Sequence, residues 1–466
     1  QIQRQNINIA TGDIKENEGI YDPELNFSIS YSDSEIPSVS TFIESGTINE
    51  QIFDVSSGIS GKLPYGTFYN LFEFGVTRNE TDSPLETLSP NWSTNLGFSV
   101  GQELLRGFSL DSNKVSIVIS KINRDKTIYE LEKTISDVIL QVEKDYWNAV
   151  AALENLKLEQ KAYELAVDLV NRNKIQVEVG VLPKVSLTQA ESEVASRLVD
   201  LINAENVLKK RKDILKNRLS IDLNTEINLT DSPTTEALYL NEHNIIDIAL
   251  KKRPEIKQSE QTIKINEELK KFYSNQRLPR LAIEGTLNYQ GIGGDENDNR
   301  LTFTDNPSPI PSQFDDPSDA FDNLAEFNFP SWSVLGVFSF PLFNREANGA
   351  YIKANAEHIR SMIEQKKLKD EIKLDVRNAI REIKSNRKEL EAVKLSVNLA
   401  EEVLSNEEEK FKVGLSTTRD ILETQRDLID SKIKQIRAVL DYNKSLAEYE
   451  KAIGTILENN SIILNY

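Results

Sequence analysis

Carboxylates offer the first candidate chemistry in this chain. Asp420 and Glu423 stand three residues apart in a helix-favouring stretch, so a helix would set both on one face. Like charges held together attract cations, but the residues alone fit a solvated acidic helix start, which the helix dipole favours. Asp295, Glu296 and Asp298 form a second acidic group that could hold a divalent cation; a solvated loop accounts for it better. Gly291–Ile292–Gly293–Gly294 lies in the same acidic loop, which argues against phosphate binding. The two histidines, His243 and His358, are far apart and read as solvated helical residues, so no metal site is expected. The absence of cysteine excludes disulfides and thiolate chemistry. No G-x-S-x-G, H-E-x-x-H or phosphate loop occurs, and no histidine neighbours a nucleophile. The sequence therefore predicts neither an enzyme nor a bound cofactor.

A net charge of −19 argues against nucleic acid, which needs a basic face. It suits an acidic soluble surface or a channel that prefers cations. No run of 18 apolar residues occurs, so no transmembrane helix is expected. No signal peptide is visible either. Both a cytosolic chain and a processed product fit this composition.

Glycine and proline mark out the elements that must position these residues. Residues 108–179, 184–232, 255–278, 350–413 and 415–453 contain neither and are rich in helix formers. Ile135, Val138, Ile139, Val142, Tyr146, Ala149, Val150 and Leu153 make one helical apolar stripe. Ile429, Ile433, Ile436, Val439 and Leu440 make another. Helices of this length must pack along other long helices, as a coiled coil or bundle.

Other segments alternate with period two. Leu25, Phe27, Ile29 and Tyr31 do so, as do Trp92–Val100, Leu281–Tyr289 and Trp332–Phe340. A half-buried soluble sheet and an outer-membrane barrel both give this pattern. Residues 36–91 are longer than one hairpin needs. Within them, 51–63 and 67–77 read as an additional strand pair turning at Pro64, Tyr65 and Gly66, either in such a barrel or outside it. Residues 291–330 read as a long exposed acidic loop.

The order of elements occurs twice: strands, long helix, glycine break, shorter helix. The breaks align on Val179–Gly180 and Val413–Gly414. Helix 108–179 would span roughly 105 Å, and helices 184–219 and 245–277 roughly 54 and 50 Å, at about 1.5 Å per residue. The shorter pair would thus cover the long one, with 220–244 at the waist. Because few residues precede Pro23, the chain is expected to begin inside its first helix, with an N-terminal portion missing.

Several junctions carry a family resemblance. Ala249–Leu250–Lys251–Lys252–Arg253–Pro254–Glu255 resembles the "AL…RPE" helix start of TolC-like outer-membrane efflux proteins. Leu278–Pro279–Arg280–Leu281 is similar to their strand entry, and Gln102–Glu103–Leu104–Leu105–Arg106–Gly107 to their strand-to-helix junction, with Glu103 where proline is usual. Phe340–Pro341–Leu342–Phe343 and Val413–Gly414 with Asp420–Ile421–Leu422 complete the resemblance.

The resemblance implies an α+β fold of two structural repeats, with a long α-helical coiled-coil barrel joined to a transmembrane β-barrel. A homotrimer would assemble that barrel, four strands per protomer and twelve in all. It implies a passive exit duct in the outer membrane of a Gram-negative bacterium, its helical tunnel in the periplasm. Its partners would be outer-membrane lipid, a periplasmic adaptor and an inner-membrane transporter of an efflux or type I secretion system. The alternative is a soluble coiled-coil scaffold with small sheet inserts.

The chain then divides into a partial helix 1–21, strands 22–105, tunnel 106–219, equatorial segment 220–244, helix 245–278, strands 279–343, tunnel 344–453 and equatorial tail 454–466. The breaks become tunnel tips: Gly180, Val181, Leu182, Gly414, Leu415 and Ser416 would dock the adaptor, with Pro183 opening the returning helix. Asp420 and Glu423 would ring the periplasmic aperture. The first tip has Ser186 and Gln189 in their place and reads as a docking surface alone. The charged latch of some relatives is missing, since Ser186, Phe411 and Ser416 occupy its positions.

Overall fold

The computed structural model describes residues 2–236, 242–302 and 309–464, with backbone alone at 242 and 243. Parts of the expected equatorial segment, acidic loop and tail, and the side chain of His243, lie outside these residues. The chain forms two compact units: residues 1–125 with 261–362, and 126–260 with 363–466.

The first unit holds helix α1 (Ile2–Glu18), strands β1 (Glu24–Pro37), β2 (Thr47–Lys62), β3 (Thr67–Thr81) and β4 (Leu88–Glu103), and a short helix α2 (Leu110–Asn113). Later sequence adds β5 (Arg280–Glu296), a short helix α7 (Asp319–Ala325) and β6 (Pro330–Ser339). The strands make one six-stranded sheet in the order β1-β2-β3-β4-β5-β6, every neighbour antiparallel. The additional pair expected at 51–63 and 67–77 is therefore β2 and β3, longer than expected and inside the sheet. Against the implied four strands per chain, the described residues form six.

Register gives the sheet two chemically different faces. Ile29 pairs with Val55 and Val55 with Val76; Phe98 pairs with Leu287 and Leu287 with Trp332. These rows are apolar. One residue along, Ser28 pairs with Ser56, Ser56 with Gly75, Gly75 with Asn95 and Asn95 with Gln290. Side chains on this polar face bond across strands: Ser28 and Ser56 hydroxyls at 2.7 Å, Thr77 Oγ1 to Asp54 Oδ1 at 2.8 Å, and Thr286 and Ser333 hydroxyls at 2.7 Å. The apolar face is bare over both edge strands, with Leu25 75% and Trp332 77% exposed. A bulge at Asn70/Glu73 in β3 puts Phe72 at φ +54°, where its ring meets Phe98 edge-on at 5.3 Å.

Gly291–Gly294 is not part of a loop: β5 continues through it. Residues 316–320 lie across it so closely that a Cβ on Gly291 would sit 1.9 Å from the Ala320 carbonyl oxygen, and one on Gly293 2.3 Å from that of Asp316. Thr94 Oγ1 donates to the same Ala320 carbonyl at 2.6 Å. Asp295 and Glu296, expected in a solvated loop, end β5, and Glu296 pairs with Arg300 at 3.2 Å; no metal-type cluster occurs among the described residues. At the strand-to-helix junction, Glu103 accepts from Arg280 Nε at 2.9 Å, joining the departure from the family pattern to the neighbouring strand entry.

The second unit is helical. The chain passes between units within α3 (Val115–Glu178), α6 (Pro254–Gln276) and α8 (Arg345–Lys412). The unit also holds α4 (Lys184–Leu219), α5 (Glu242–Lys252), α9 (Thr418–Ile453) and α10 (Ile456–Asn459). Where one helix was expected over 245–277, Arg253–Pro254 divides α5 from α6, because proline cannot continue the hydrogen-bond ladder. Arg253 turns the break into a joint: it grips Glu255 with two bonds of 3.0 Å and donates to the Ala452 carbonyl at 3.3 Å. Ile245, Ala249, Ile256, Ile372, Val376 and Ile453 pack around it as a core. Among the described residues, no helix is long and apolar enough to cross a membrane.

Candidate functional site

Both glycine breaks close with the same backbone geometry. Gly180 lies at φ +78° and Gly414 at φ +79°, the left-handed region that L side chains resist. Gly180 N–H donates to Val177 O at 3.1 Å and Val181 N–H to Gln176 O at 2.8 Å. Gly414 N–H donates to Phe411 O at 3.1 Å and Leu415 N–H to Lys410 O at 2.9 Å. This is the Schellman pattern, which satisfies the last carbonyls of α3 and α8 and reverses the chain.

The breaks sit side by side because Asn173 of α3 binds both. Its Nδ2 donates to the Ser186 carbonyl of α4 and to Thr418 Oγ1 of α9, each at 3.2 Å, and the side chain is fully buried. Leu169, Ala190, Ile421 and Leu422 pack beside it, with Phe411 at the margin. Ser186 and Phe411, two of the latch positions, thus belong to the packing of the tips. Ser416, the third, donates to Glu407 Oε1 at 2.5 Å.

Apolar side chains are bare at both tips. Val181 is 70% and Leu415 78% exposed, with Val179 and Val413 beside them. Leu182 and Ser416 are half-buried.

Asp420 closes a capping box at the start of α9. Its carboxylate accepts from Thr417 N–H at 2.9 Å and Thr417 Oγ1 at 2.7 Å, while Thr417 Oγ1 accepts from Asp420 N–H. Those bonds hold the Asp420 carboxyl below its ordinary range. Glu407, bonded by Ser416 and Lys410, is held low in the same way, with the nearby Asp420 charge opposing. Glu423 is exposed on the following turn. The second tip therefore gathers three carboxylates, one more than the sequence reading named.

A buried charge cluster lies further from the tips. Glu193 of α4 is buried between Arg197, whose Nε lies at 2.8 Å, and Arg426 of α9. Burial pushes its carboxyl up, but bonds from Arg426 and Arg197 outweigh this and leave it low. Glu159 of α3 is buried too, and its Oε2 accepts no bond. Burial raises its carboxyl, the Asp200 charge adds to this, Arg197 opposes it and Asp430 adds again. These residues escaped the sequence reading, although a signal existed. Glu159 and Asn173 share one buried stripe of α3 with Ala162, Ala166 and Leu169, and a polar residue on such a stripe marks a bonded site.

Comparison with known proteins places this geometry. The sequence profile of the outer membrane efflux protein family matches residues 3–217 and 245–455. The fold is similar to the Campylobacter jejuni CmeC outer membrane channel (18% identity, 98% of this chain and 82% of that one, TM-score 0.63). It is also similar to the outer membrane protein VceC from Vibrio cholerae (12%, 97% and 92%, TM-score 0.65). The open MtrE outer membrane channel of Neisseria gonorrhoeae is a third (15%, 98% and 86%, TM-score 0.64). No curated protein sequence matches the chain.

The Glu159 environment predicts a pH-dependent stability. A carboxyl raised on folding weakens the fold while it is charged, and that cost fades as pH falls through the raised value. Glu159→Gln should stabilise the fold at pH 7 by about 1 kcal/mol, which raises the thermal midpoint by roughly 2 °C in a chain of this size. The advantage should shrink as the buffer is acidified; thermal melts at several pH values measure it. Equal midpoints at neutral pH would count against the assignment.

Proposed function

The chain belongs to the outer membrane efflux protein family, and from that premise we propose that it is a passive trimeric exit duct. Its strands lie in the outer membrane of a Gram-negative bacterium and its helices form a periplasmic tunnel. It is not an enzyme: partners open it, and cargo passes through. The observation that carries this reading is the bare apolar face of the sheet. Leu25, Phe27, Ile29, Trp332, Val334 and Phe338 are all exposed there, while the opposite face carries Ser28, Ser56, Asn95, Thr286 and Ser333 among its residues. Water penalises such a surface and lipid rewards it. The rival, a soluble scaffold, gives no reason for it.

The tips support docking of a periplasmic adaptor. Gly180, Val181 and Leu182, with Gly414, Leu415 and Ser416, offer apolar groups on a backbone fixed by two identical turns. The adaptor in turn couples the duct to an inner-membrane transporter of an efflux or type I secretion system. Asp420 and Glu423 ring the aperture, and threefold symmetry concentrates their charge. Bonds from Thr417 hold the Asp420 carboxyl below its ordinary range, which favours its charged form at the ring. The proposed subdivision into strand, tunnel and equatorial segments follows the boundaries read from the sequence.

Three outcomes test this reading. The protein should fractionate with outer membranes, need detergent for extraction and run as a trimer; a detergent-free soluble species would refute the duct. Leu415→Asp should weaken cross-linking to the adaptor about tenfold or more without loss of the trimer. Glu423→Gln should lower the cation preference of single channels about two- to threefold. It is a cleaner probe than a change at Asp420, which would also break the helix cap, and an unchanged preference would refute the ring.

A further inference from the structure

The sheet carries two more strands than the family pattern accounts for, and their placement has a geometric consequence. β2 and β3 are not a flap. They lie between β1 and β4, each paired with both neighbours over most of its length. At 16 and 15 residues, both exceed the roughly ten that a tilted strand needs to cross a bilayer. They carry the two-faced pattern beyond their bulges: Phe53, Val55, Phe74 and Val76 continue the apolar face, and Asp54, Ser56, Thr77 and Asn79 the polar one. Their turn is anchored at the strand-to-helix junction, where Glu103 N–H donates to the Gly66 carbonyl at 3.2 Å. Gly66 lies at φ +84°, and a Cβ there would meet the Gly107 carbonyl oxygen at 2.3 Å.

The sheet is open at both ends. β1 pairs only with β2, and β6 only with β5, among the described residues. β1 runs away from the helical junction and β6 runs back towards it, so β6 of one copy meets β1 of the next antiparallel, as each internal pair does. Both edges carry exposed apolar residues on the same face, so a second copy of this chain continues the lipid-facing surface. We propose that three copies close an eighteen-stranded barrel in which β2 and β3 are wall strands. This rests on the trimeric duct proposed above and changes its bore. With strands about 4.8 Å apart and tilted about 40°, eighteen strands give a backbone diameter of about 36 Å, against about 24 Å for twelve. Eighteen-stranded walls leave an aqueous channel, and here the interior presents Ser28, Ser30, Asp54, Ser56, Asn95 and Gln290.

Cryo-electron microscopy of the detergent-extracted protein tests this, with disulfide cross-linking as the independent arm. The chain has no cysteine, so pairs introduced at Ser28, Ser30 or Ser32 with Ser331 or Ser333 report strand contacts between copies without background. Cross-linked trimers and a barrel about 36 Å wide are expected. Cross-linked trimers with a barrel about 24 Å wide, β2 and β3 lying outside the wall, would overturn the eighteen-stranded closure and leave the duct standing. A monomer without cross-links would overturn both.

Discussion

Backbone hydrogen bonding across the ladder from β1 to β6 is the constraint on which the first unit turns. A strand in lipid has no water to satisfy its N–H and C=O groups, so each must find another strand. Six strands cannot do this alone, because two edges remain. The same requirement sets the chemistry of the side chains. Once pairing fixes the register, every row of the sheet is committed to one face, and a slip of one residue would exchange Ile29 and Val55 for Ser28 and Ser56. The cross-strand hydroxyl and amide bonds on the polar face pin that register from the side chains as well as from the backbone.

The helical unit answers a different constraint. Long helices with modest apolar stripes can settle in several alignments of similar energy. Reversal at Gly180 and Gly414 fixes where each pair must meet, and the identical hydrogen bonds at the two turns give both the same exit direction. Charge then does two jobs. Near the tips, hydrogen bonds hold the half-buried Asp420 and Glu407 carboxyls low; further along, Glu193 is buried because two guanidiniums compensate it. Glu159 lacks such compensation at one oxygen, which makes it the weakest point of the cluster.

Much of this was legible in the sequence, for identifiable reasons. Segments without glycine or proline gave the helices, and alternation gave the strands, because both periods are imposed by backbone geometry. The end of α4 at Leu219 and the resumption at Lys184 followed from local residues alone. What could not be read depended on contacts distant in sequence. Gly291–Gly294 looked like loop because glycine marks turns and close approaches alike, and only residues 316–320 decide between them. The tip residues were visible through Gly180 and Gly414. Asn173 showed only as a polar residue on the Ala162–Leu169 stripe, and its partners Ser186 and Thr418 are brought to it by the fold alone.

Asn173 also acts as an alignment key. Leu169 and its neighbours could trade one aliphatic contact for another if α3 slid along α4 and α9. The amide cannot. A shift of one turn, about 5.4 Å, would strip it from the Ser186 carbonyl and the Thr418 hydroxyl together and leave a buried donor unpaired. A single polar residue in an apolar seam thus selects one stagger among several that greasy contact alone would tolerate. Together with the Glu193–Arg426 pair between α4 and α9, this side chain fixes the relative height of the two tips, and any motion of these helices as a group has to carry that amide and both its acceptors along together.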